Sequence, residues 1–163
     1  MNSIYKKLSN HLIQNQDKFY RLSYTYLRNK DDALDVVQNA ILKALEKYKD
    51  IKNIDAINTW FYRILVNENL LYLRKKKKEI CTDDNDLDIF YFEKFNENID
   101  IYEKIKFLPT DTQTIIILHY FEDLTLLEIS KITNINLNTI KSKLYTGLKK
   151  LKIELKEEVS WMI

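Results

Sequence analysis

The chain has 163 residues but only one glycine and one proline, and this scarcity restricts the folds that it can adopt. Tight β-hairpin turns need residues that accept a positive φ, and glycine accepts it most readily. The composition therefore argues against a hairpin-rich sheet protein. It predicts an all-α fold whose helices are joined by Asn- and Asp-rich breaks. The length allows one or two small domains.

Apolar residues at three- and four-residue steps predict three helices in the first half of the chain. The first runs from Ile4 to Tyr26 with a break near Asn15, and the second from about Asp32 to Tyr48. The third helix, from about Ile57 to Lys78, has an apolar side and a polar side. We expect it to bury Ile57, Phe61, Ile64, Leu65, Leu71 and Tyr72.

The second predicted helix has an unusual outer face, which mixes two leucines with an acid and an amide. A solvent-exposed face is usually charged throughout, whereas apolar contacts around a few polar anchors are typical of a partner-binding patch. The alternative is that both faces of the helix pack inside the bundle. The residues concerned are Leu34, Asp35, Gln38 and Leu42.

The third predicted helix ends in the basic run Arg74 to Lys78, with a charge of +5. Cations at the carboxyl end of a helix are favoured by its dipole, but five in succession also suggest contact with a phosphate backbone. Trp60 and Tyr62 could stack on unpaired bases or belong to the core. Further polar groups on this helix are Arg63, Asn67 and Asn69.

Residues 79–100 reverse the sign of the charge, since eight acids against one lysine give −7. We interpret this segment, which includes Cys81, as an acidic linker between two helical domains at 1–78 and 101–163. The run Ile89 to Phe92 is too apolar for a fully solvated tether, so we expect part of the linker to dock.

The stretch from Leu124 to Lys152 predicts two helices separated by a tight turn. Thr125 and Glu128 have the spacing of a capping box, and Asn134 suits a left-handed turn residue. Asn138 is a candidate cap for the second helix. Its polar face is suited to a DNA major groove, although a solvated helix pair in a small bundle is the alternative. That face carries Asn138, Thr139, Lys141, Ser142, Lys143, Tyr145, Thr146 and Lys149.

Catalytic and metal sites are not indicated. Cys81 is the only cysteine, which excludes a disulfide framework and points to a reducing cytoplasm. His11 and His119 are isolated, and one glycine cannot build a Gly-rich phosphate loop. The longest aliphatic run, Ile115 to Leu118, is too short to span a bilayer. We therefore expect a soluble, non-enzymatic protein without a cofactor, a metal or a small-molecule substrate.

Two separate stretches resemble the extracytoplasmic-function (ECF) sigma factors of bacterial RNA polymerase. Asp32 to Lys78 resembles region 2, through DALDVVQNA, WFYRILVN and the basic run that follows. Leu108 to Leu151 resembles region 4, through Leu-Pro, YFEDLTLLEIS and NTIKSKLYTGLKKLK. Both occur in the family's order and spacing, and the sequence is similar to the sigma-V subgroup.

This resemblance implies the role of each surface. The outer face of the second helix would bind core RNA polymerase through Leu34, Asp35, Gln38 and Leu42. The minus-ten promoter element would be held by Asn58, Trp60, Arg63, Asn67, Asn69, Arg74 and Lys75. The minus-thirty-five element would be read by Asn138, Thr139, Lys141, Ser142, Lys143 and Tyr145. The linker would lie in the RNA-exit path of the polymerase, and a membrane-bound anti-sigma factor would hold the protein inactive.

The sequence departs from the family pattern at four positions. Leu34 replaces an acid and Leu71 an aspartate. Lys143 replaces an arginine, so we expect it to hold phosphate rather than read a base. Gly147 replaces an alanine and would weaken its helix by about 1 kcal/mol. A stand-alone helix-turn-helix repressor or activator is the alternative function.

Overall fold

The computed structural model describes residues 2–79 and 103–162, with side chains described for 2–77 and 103–152. These residues form two compact units, one on each side of the remaining segment. The described residues are helical and contain no strand, which confirms the all-α fold class. The predicted acidic linker from 80 onward, with Cys81, lies outside the described residues, and the domain boundaries remain a prediction.

The first unit is a bundle of four helices. Asn15 ends α1 and precedes α2, which confirms the predicted break. Its side-chain nitrogen donates to the carbonyl of His11 at 2.7 Å and lies 3.2 Å from His11 Nδ1. Burial lowers the pKa of the His11 imidazole, and the Asn58 side chain opposes that shift. The elements are α1 (Ser3–Gln14), α2 (Gln16–Leu27), α3 (Lys30–Glu46), 3₁₀ turns at Tyr48–Asp50 and Ile54–Ala56, and α4 (Ile57–Glu79).

An aromatic cluster forms the centre of this unit. The Phe19 ring lies 4.4 Å from Phe61 and 5.5 Å from Tyr62, centroid to centroid. Aromatic pairs at such distances add about 0.5–1.5 kcal/mol to the burial of their area. Phe61 is buried as predicted, and Tyr62 is also buried, so of the two alternatives for Tyr62 the structure shows the core. The prediction was wrong for Leu71, whose side chain is exposed.

Two ion pairs connect α3 to α4. Lys43 binds Glu68, and the Lys76 ammonium lies 3.0 Å from the Asp32 carboxylate. Asn29 caps α3 through an oxygen that accepts from the backbone N–H of Asp32 at 2.9 Å. One lysine of the basic run is thus paired inside its own unit.

The second unit contains α5 (Thr110–Ile116), which continues as a π-helical turn at Ile117–Phe121, then α6 (Leu126–Thr133) and α7 (Leu137–Met162). Gln113 is buried, and its side-chain nitrogen donates to the Leu108 carbonyl at 2.6 Å. That hydrogen bond anchors the segment before Pro109 to α5. The apolar run Ile115 to Leu118 is buried.

The start of α6 and the turn between α6 and α7 follow the prediction. The Thr125 oxygen accepts from the Glu128 N–H at 3.1 Å, and Asn134 adopts a left-handed conformation with φ 59°. The Ser130 hydroxyl donates across the turn to the Ile135 carbonyl at 2.6 Å. Buried Ile129, Ile132 and Ile140 join the two helices.

The predicted cap of α7 was wrong. Asn136 has this role, because its side-chain oxygen accepts from the backbone N–H of Asn138 at 2.9 Å. Helix α7 begins at Leu137, so Asn138 is already in the first turn. Its side chain is exposed on the surface of the helix.

Candidate nucleic-acid interface and partner-binding face

The partner-binding patch predicted on α3 is fully on the surface of the first unit. The side chains of Leu34 and Leu42 are 41% and 59% exposed, and Asp35 and Gln38 are exposed between them. The opposite side of α3 supplies the core. This arrangement excludes the alternative in which both faces of α3 pack inside the bundle. The buried residues are Ala33, Val36, Val37, Ala40 and Ala44.

The patch has a simple geometry. Leu34, Gln38 and Leu42 follow one another at four-residue steps, so they form a row about 12 Å long at 1.5 Å per residue. Asp35 lies beside this row. A pair of leucines at the two ends and polar groups between them can bury apolar area while hydrogen bonds fix the register of a partner. We call this row, with Asp35, the α3 patch.

The polar side of α4 presents a second surface. Trp60, Arg63, Asn67 and Arg74 recur at steps of three, four and seven residues and so share one face of the helix. The last three are exposed, and Trp60 is half-buried. Lys75 is exposed next to this face, whereas Asn58 is half-buried in the first turn of α4.

Part of this side of α4 borders a groove of about 370 Å³. The groove was not predicted, since it needs side chains from both α3 and α4. Asn67 and Arg74 line it from α4, while Lys43 of α3 and Lys47, which follows the end of α3, line the other side. Its apolar wall includes Ile64, Leu70 and Leu71. Glu68 also lines the groove and binds Lys43, so Lys47 and Arg74 are the cations that could hold a phosphate beside the apolar wall.

Asn69 does not belong to this surface, which corrects its placement in the predicted minus-ten set. Its side chain is 0% exposed, and its nitrogen donates to Ser23 Oγ at 3.0 Å and to the Leu65 carbonyl at 2.9 Å. The helical period explains the error. Asn69 follows Trp60 by nine residues, which is about two and a half turns. It therefore lies on the opposite side of α4 and joins α4 to α2.

The outer face of α7 is continuous. Asn138, Ser142, Tyr145 and Lys149 recur at four- and three-residue steps, and all four are exposed. Thr139 and Lys141 are exposed beside that row. Amide, hydroxyl and ammonium groups in one row can contact both base edges and phosphates. These six residues form what we call the α7 face.

Lys143 differs from the other predicted residues of α7. Its ammonium lies 2.7 Å from a carboxylate oxygen of Asp111, in the first turn of α5. The sequence did not identify Asp111, because the pairing depends on how α5 packs against α7. In this structure Lys143 thus holds an acid of its own unit.

Gly147 permits the close packing of α5 on α7. Gly147 is buried, and a Cβ atom at this position would lie 2.6 Å from Thr112 Cγ2. Heavy atoms do not approach so closely without displacement. The sequence-based interpretation, that glycine simply weakens the helix, omitted this contact. A lone glycine within an apolar helical stripe was a signal of close approach.

We expect Gly147→Ala to destabilise the second unit by about 1–2 kcal/mol, although alanine favours a helix by about 1 kcal/mol. The added methyl group would overlap the β-branched Thr112, which is itself buried. Chemical denaturation of the full-length chain measures the effect. Thr112→Ser removes the opposing methyl group and keeps the hydroxyl, so Gly147→Ala should become stabilising in that background. Equal destabilisation in both backgrounds would contradict the overlap.

Within residues 2–79 and 103–162, no helix is long and apolar enough to cross a membrane. In the same ranges, no cluster of three or more His, Cys, Asp or Glu side chains is arranged to hold a metal ion.

Comparisons with known proteins match both units. A sequence model of sigma-70 region 2 matches residues 12–79, and one of sigma-70 region 4 matches residues 99–151. RNA polymerase sigma factor SigV of Bacillus subtilis (strain 168) is 42% identical over 149 residues, which cover 90% of each chain. ECF RNA polymerase sigma factor SigW of the same organism is 29% identical, over 87% of this chain and 85% of SigW.

Solved structures show the same fold. The sigma factor RpoE in complex with the anti-sigma factor NepR, from Bartonella quintana, has a TM-score of 0.74 at 20% identity, over 93% of this chain and 98% of that one. CnrH in complex with the cytosolic domain of CnrY has a TM-score of 0.64 at 16% identity, over 92% and 88%. The two matched regions and the similarity to SigV lead to one conclusion: the chain belongs to the sigma-70 family, as a member of its ECF group.

Proposed function

We propose that this alternative sigma factor divides its work among the three surfaces described above. As a sigma factor it binds core RNA polymerase and directs promoter-specific transcription initiation. In our proposal the α3 patch docks on core polymerase, the polar side of α4 holds the minus-ten element and the α7 face reads the minus-thirty-five element. Residues 1–78 and 101–163 are the two functional domains, and 79–100 is the acidic linker.

The exposure of the α3 patch is the observation that carries this proposal. Two leucines remain in water although the core of the unit is supplied from the other side of the same helix. Burying exposed apolar area is favourable by about 25 cal/mol per Å². Asp35 and Gln38 between the leucines supply directional hydrogen bonds, which select a partner of fixed shape.

The α4 surface supports contact with a melted promoter strand. Arg63, Arg74 and Lys75 are exposed cations for phosphates, and Asn67 can hydrogen-bond a base edge. Trp60 is half-buried, so one part of the ring is anchored while another stays available for stacking. Asn58 in the first turn completes the set. Asn69 is omitted, because its side chain is enclosed between α4 and α2.

The α7 face supports major-groove recognition by the second helix of a helix-turn-helix. Its amide, Asn138, lies in the first turn, and the first residues of a recognition helix are those that reach base edges. Ser142, Tyr145 and Lys149 continue the row toward the phosphate backbone. Because Lys143 is paired with Asp111, we do not include it among the base-reading residues.

The partners of the related structures suggest a regulator. RpoE and CnrH were solved with NepR and with the cytosolic domain of CnrY. We propose that an anti-sigma factor also controls this chain. The family resemblance implies that this anti-sigma factor is membrane-bound. The sigma factor itself would act in the cytoplasm, together with core polymerase. The protein would need no cofactor and no small-molecule substrate, and would catalyse no reaction itself.

Run-off transcription with purified core polymerase and genomic fragments tests the proposal. We expect discrete transcripts only when chain and core polymerase are both present, and co-purification of the two. A stand-alone repressor or activator would instead bind duplex sites tightly by itself and give no transcript with core polymerase. That second pattern would overturn the proposal.

A further inference from the structure

Lys143 and Asp111 form an ion pair that joins the helix carrying the α7 face to a different helix of the second unit. The distance from Lys143 Nζ to Asp111 Oδ2 is 2.7 Å, and the side chains are 34% and 38% exposed. The other carboxylate oxygen of Asp111 accepts from the backbone N–H of Thr112 at 2.8 Å. The Asp111 carboxylate is therefore fixed from its own helix while it holds the lysine.

Lys143 lies at the edge of the α7 face. It follows Ser142, in the exposed row, by one residue and precedes buried Gly147 by four. A residue four positions away is on the same side of a helix, so Lys143 lies above Gly147 and next to α5. The ammonium is thus at the border between the DNA-facing row and the helix–helix contact.

The glycine makes this pairing possible. A Cβ at 147 would overlap Thr112, the residue that follows Asp111. Without a side chain there, the first turn of α5 comes close enough for its carboxylate to reach a lysine one turn along α7. The family departures at Lys143 and Gly147 therefore act together.

We propose that Asp111 competes with DNA phosphate for Lys143 and so sets how strongly the α7 face holds duplex DNA. This inference rests on the proposed function of α7. A partly exposed ion pair contributes little to stability, so a phosphate can displace the carboxylate. The displaced Asp111 carboxylate then stays near the DNA, where it repels the phosphates and weakens binding.

Counterion release gives the competition a measurable signature. Each phosphate that a lysine neutralises contributes about −0.9 to the slope of log Kobs against log[salt]. When Lys143 leaves Asp111, however, the freed carboxylate attracts a cation, which cancels most of the release for that contact. Removing the carboxylate should restore the full contribution of the Lys143 contact to the salt slope.

Asp111→Asn is the variant that tests the proposal, because the amide oxygen can still accept from Thr112. Fluorescence anisotropy of the full-length chain with a labelled duplex, over a series of KCl concentrations, gives affinity and salt slope. We expect duplexes of any sequence to bind about two- to fivefold more tightly, the range of an exposed ion pair. The salt slope should steepen by up to about 0.9.

Asp123→Asn is the matched control. Asp123 is exposed in the same unit, and asparagine tolerates its left-handed φ of 55°. This variant removes the same charge, but we expect a smaller change in slope because it leaves the ion pair between Lys143 and Asp111 in place. Adding Asp111→Asn to Lys143→Gln should not steepen the salt slope beyond the control, because no lysine remains at position 143 to take up a phosphate.

Three other results would overturn the proposal. Weaker binding by Asp111→Asn would mean that the carboxylate positions Lys143 for DNA rather than withholding it. Equal effects of Asp111→Asn and Asp123→Asn would mean that only net charge matters. If Lys141→Gln left the slope unchanged, α7 would not be the DNA-binding surface, and the proposed function of α7 would fail as well.

Discussion

Leu42→Glu should reduce the affinity of the chain for core RNA polymerase by about 30- to 1,000-fold, equivalent to the 2–4 kcal/mol of an apolar residue that carries much of the binding energy. Leu42 is 59% exposed at one end of the α3 patch. Docking would bury the introduced carboxylate against an apolar partner surface, where it loses its hydration without gaining a counter-ion. Pull-down with core polymerase and run-off transcription should both report the loss.

Ile13→Glu provides the matched control for this experiment. Ile13 is a 67% exposed aliphatic residue of α1, in the same unit but outside the α3 patch. Both variants should unfold at the same denaturant concentration as the unchanged chain, because exposed substitutions usually alter stability by less than about 0.5 kcal/mol. If the two variants bound core polymerase equally well, the assignment of the docking face would be wrong.

The sequence was sufficient to predict features that depend on local chain chemistry. Asn15 interrupts the first apolar stripe, and the structure has a helix break there. Asn134 was predicted to be the left-handed residue between α6 and α7, and its φ is 59°. Such features depend on residues within one or two turns of each other, so periodicity and capping preferences are enough to find them.

Features that join distant parts of the chain could not be predicted in the same way. The contact between Thr112 and Gly147, and the ion pair beside it, depend on the distance between two helix axes. Spacing within one helix carries no information about that distance. Asn69 is a different case, since its half-turn offset from Trp60 was present in the sequence and indicated the buried side of α4.

Counting charges along the sequence overestimates the positive charge that each unit can offer to DNA. Lys76 of the basic run is paired with Asp32, and Lys143 of α7 is paired with Asp111. In both units an acid from another helix neutralises one lysine of the helix to which we assign DNA contacts. The acids lie far from the lysines in sequence, and folding brings them together. If these helices contact DNA as we propose, weaker non-specific binding to phosphates would leave base contacts a larger share of the affinity.

Asn69→Asp should lower the free energy of unfolding of the first unit by about 3–5 kcal/mol at neutral pH, the usual cost of an uncompensated buried charge. The Asn69 nitrogen donates to Ser23 Oγ and to the Leu65 carbonyl. An ionised carboxylate would present only acceptors, so it would repel that carbonyl. Burial would raise the pKa of the introduced carboxyl above its usual value near 3.9. The destabilisation should therefore be complete above the raised pKa and diminish as the pH falls below it.

Asn67→Asp is the matched comparison, since it makes the same chemical change two residues earlier on the exposed side of α4. Urea unfolding at neutral and mildly acidic pH should show stability within about 0.5 kcal/mol of the unchanged chain. Promoter opening by its holoenzyme should nevertheless decrease, because the new carboxylate repels strand phosphates near Arg63 and Arg74. The opposite result, in which Asn69→Asp leaves stability unchanged but impairs promoter opening, would return Asn69 to the DNA-binding surface. The two variants thus separate a residue that holds α4 to α2 from an exposed residue that we propose contacts the promoter strand.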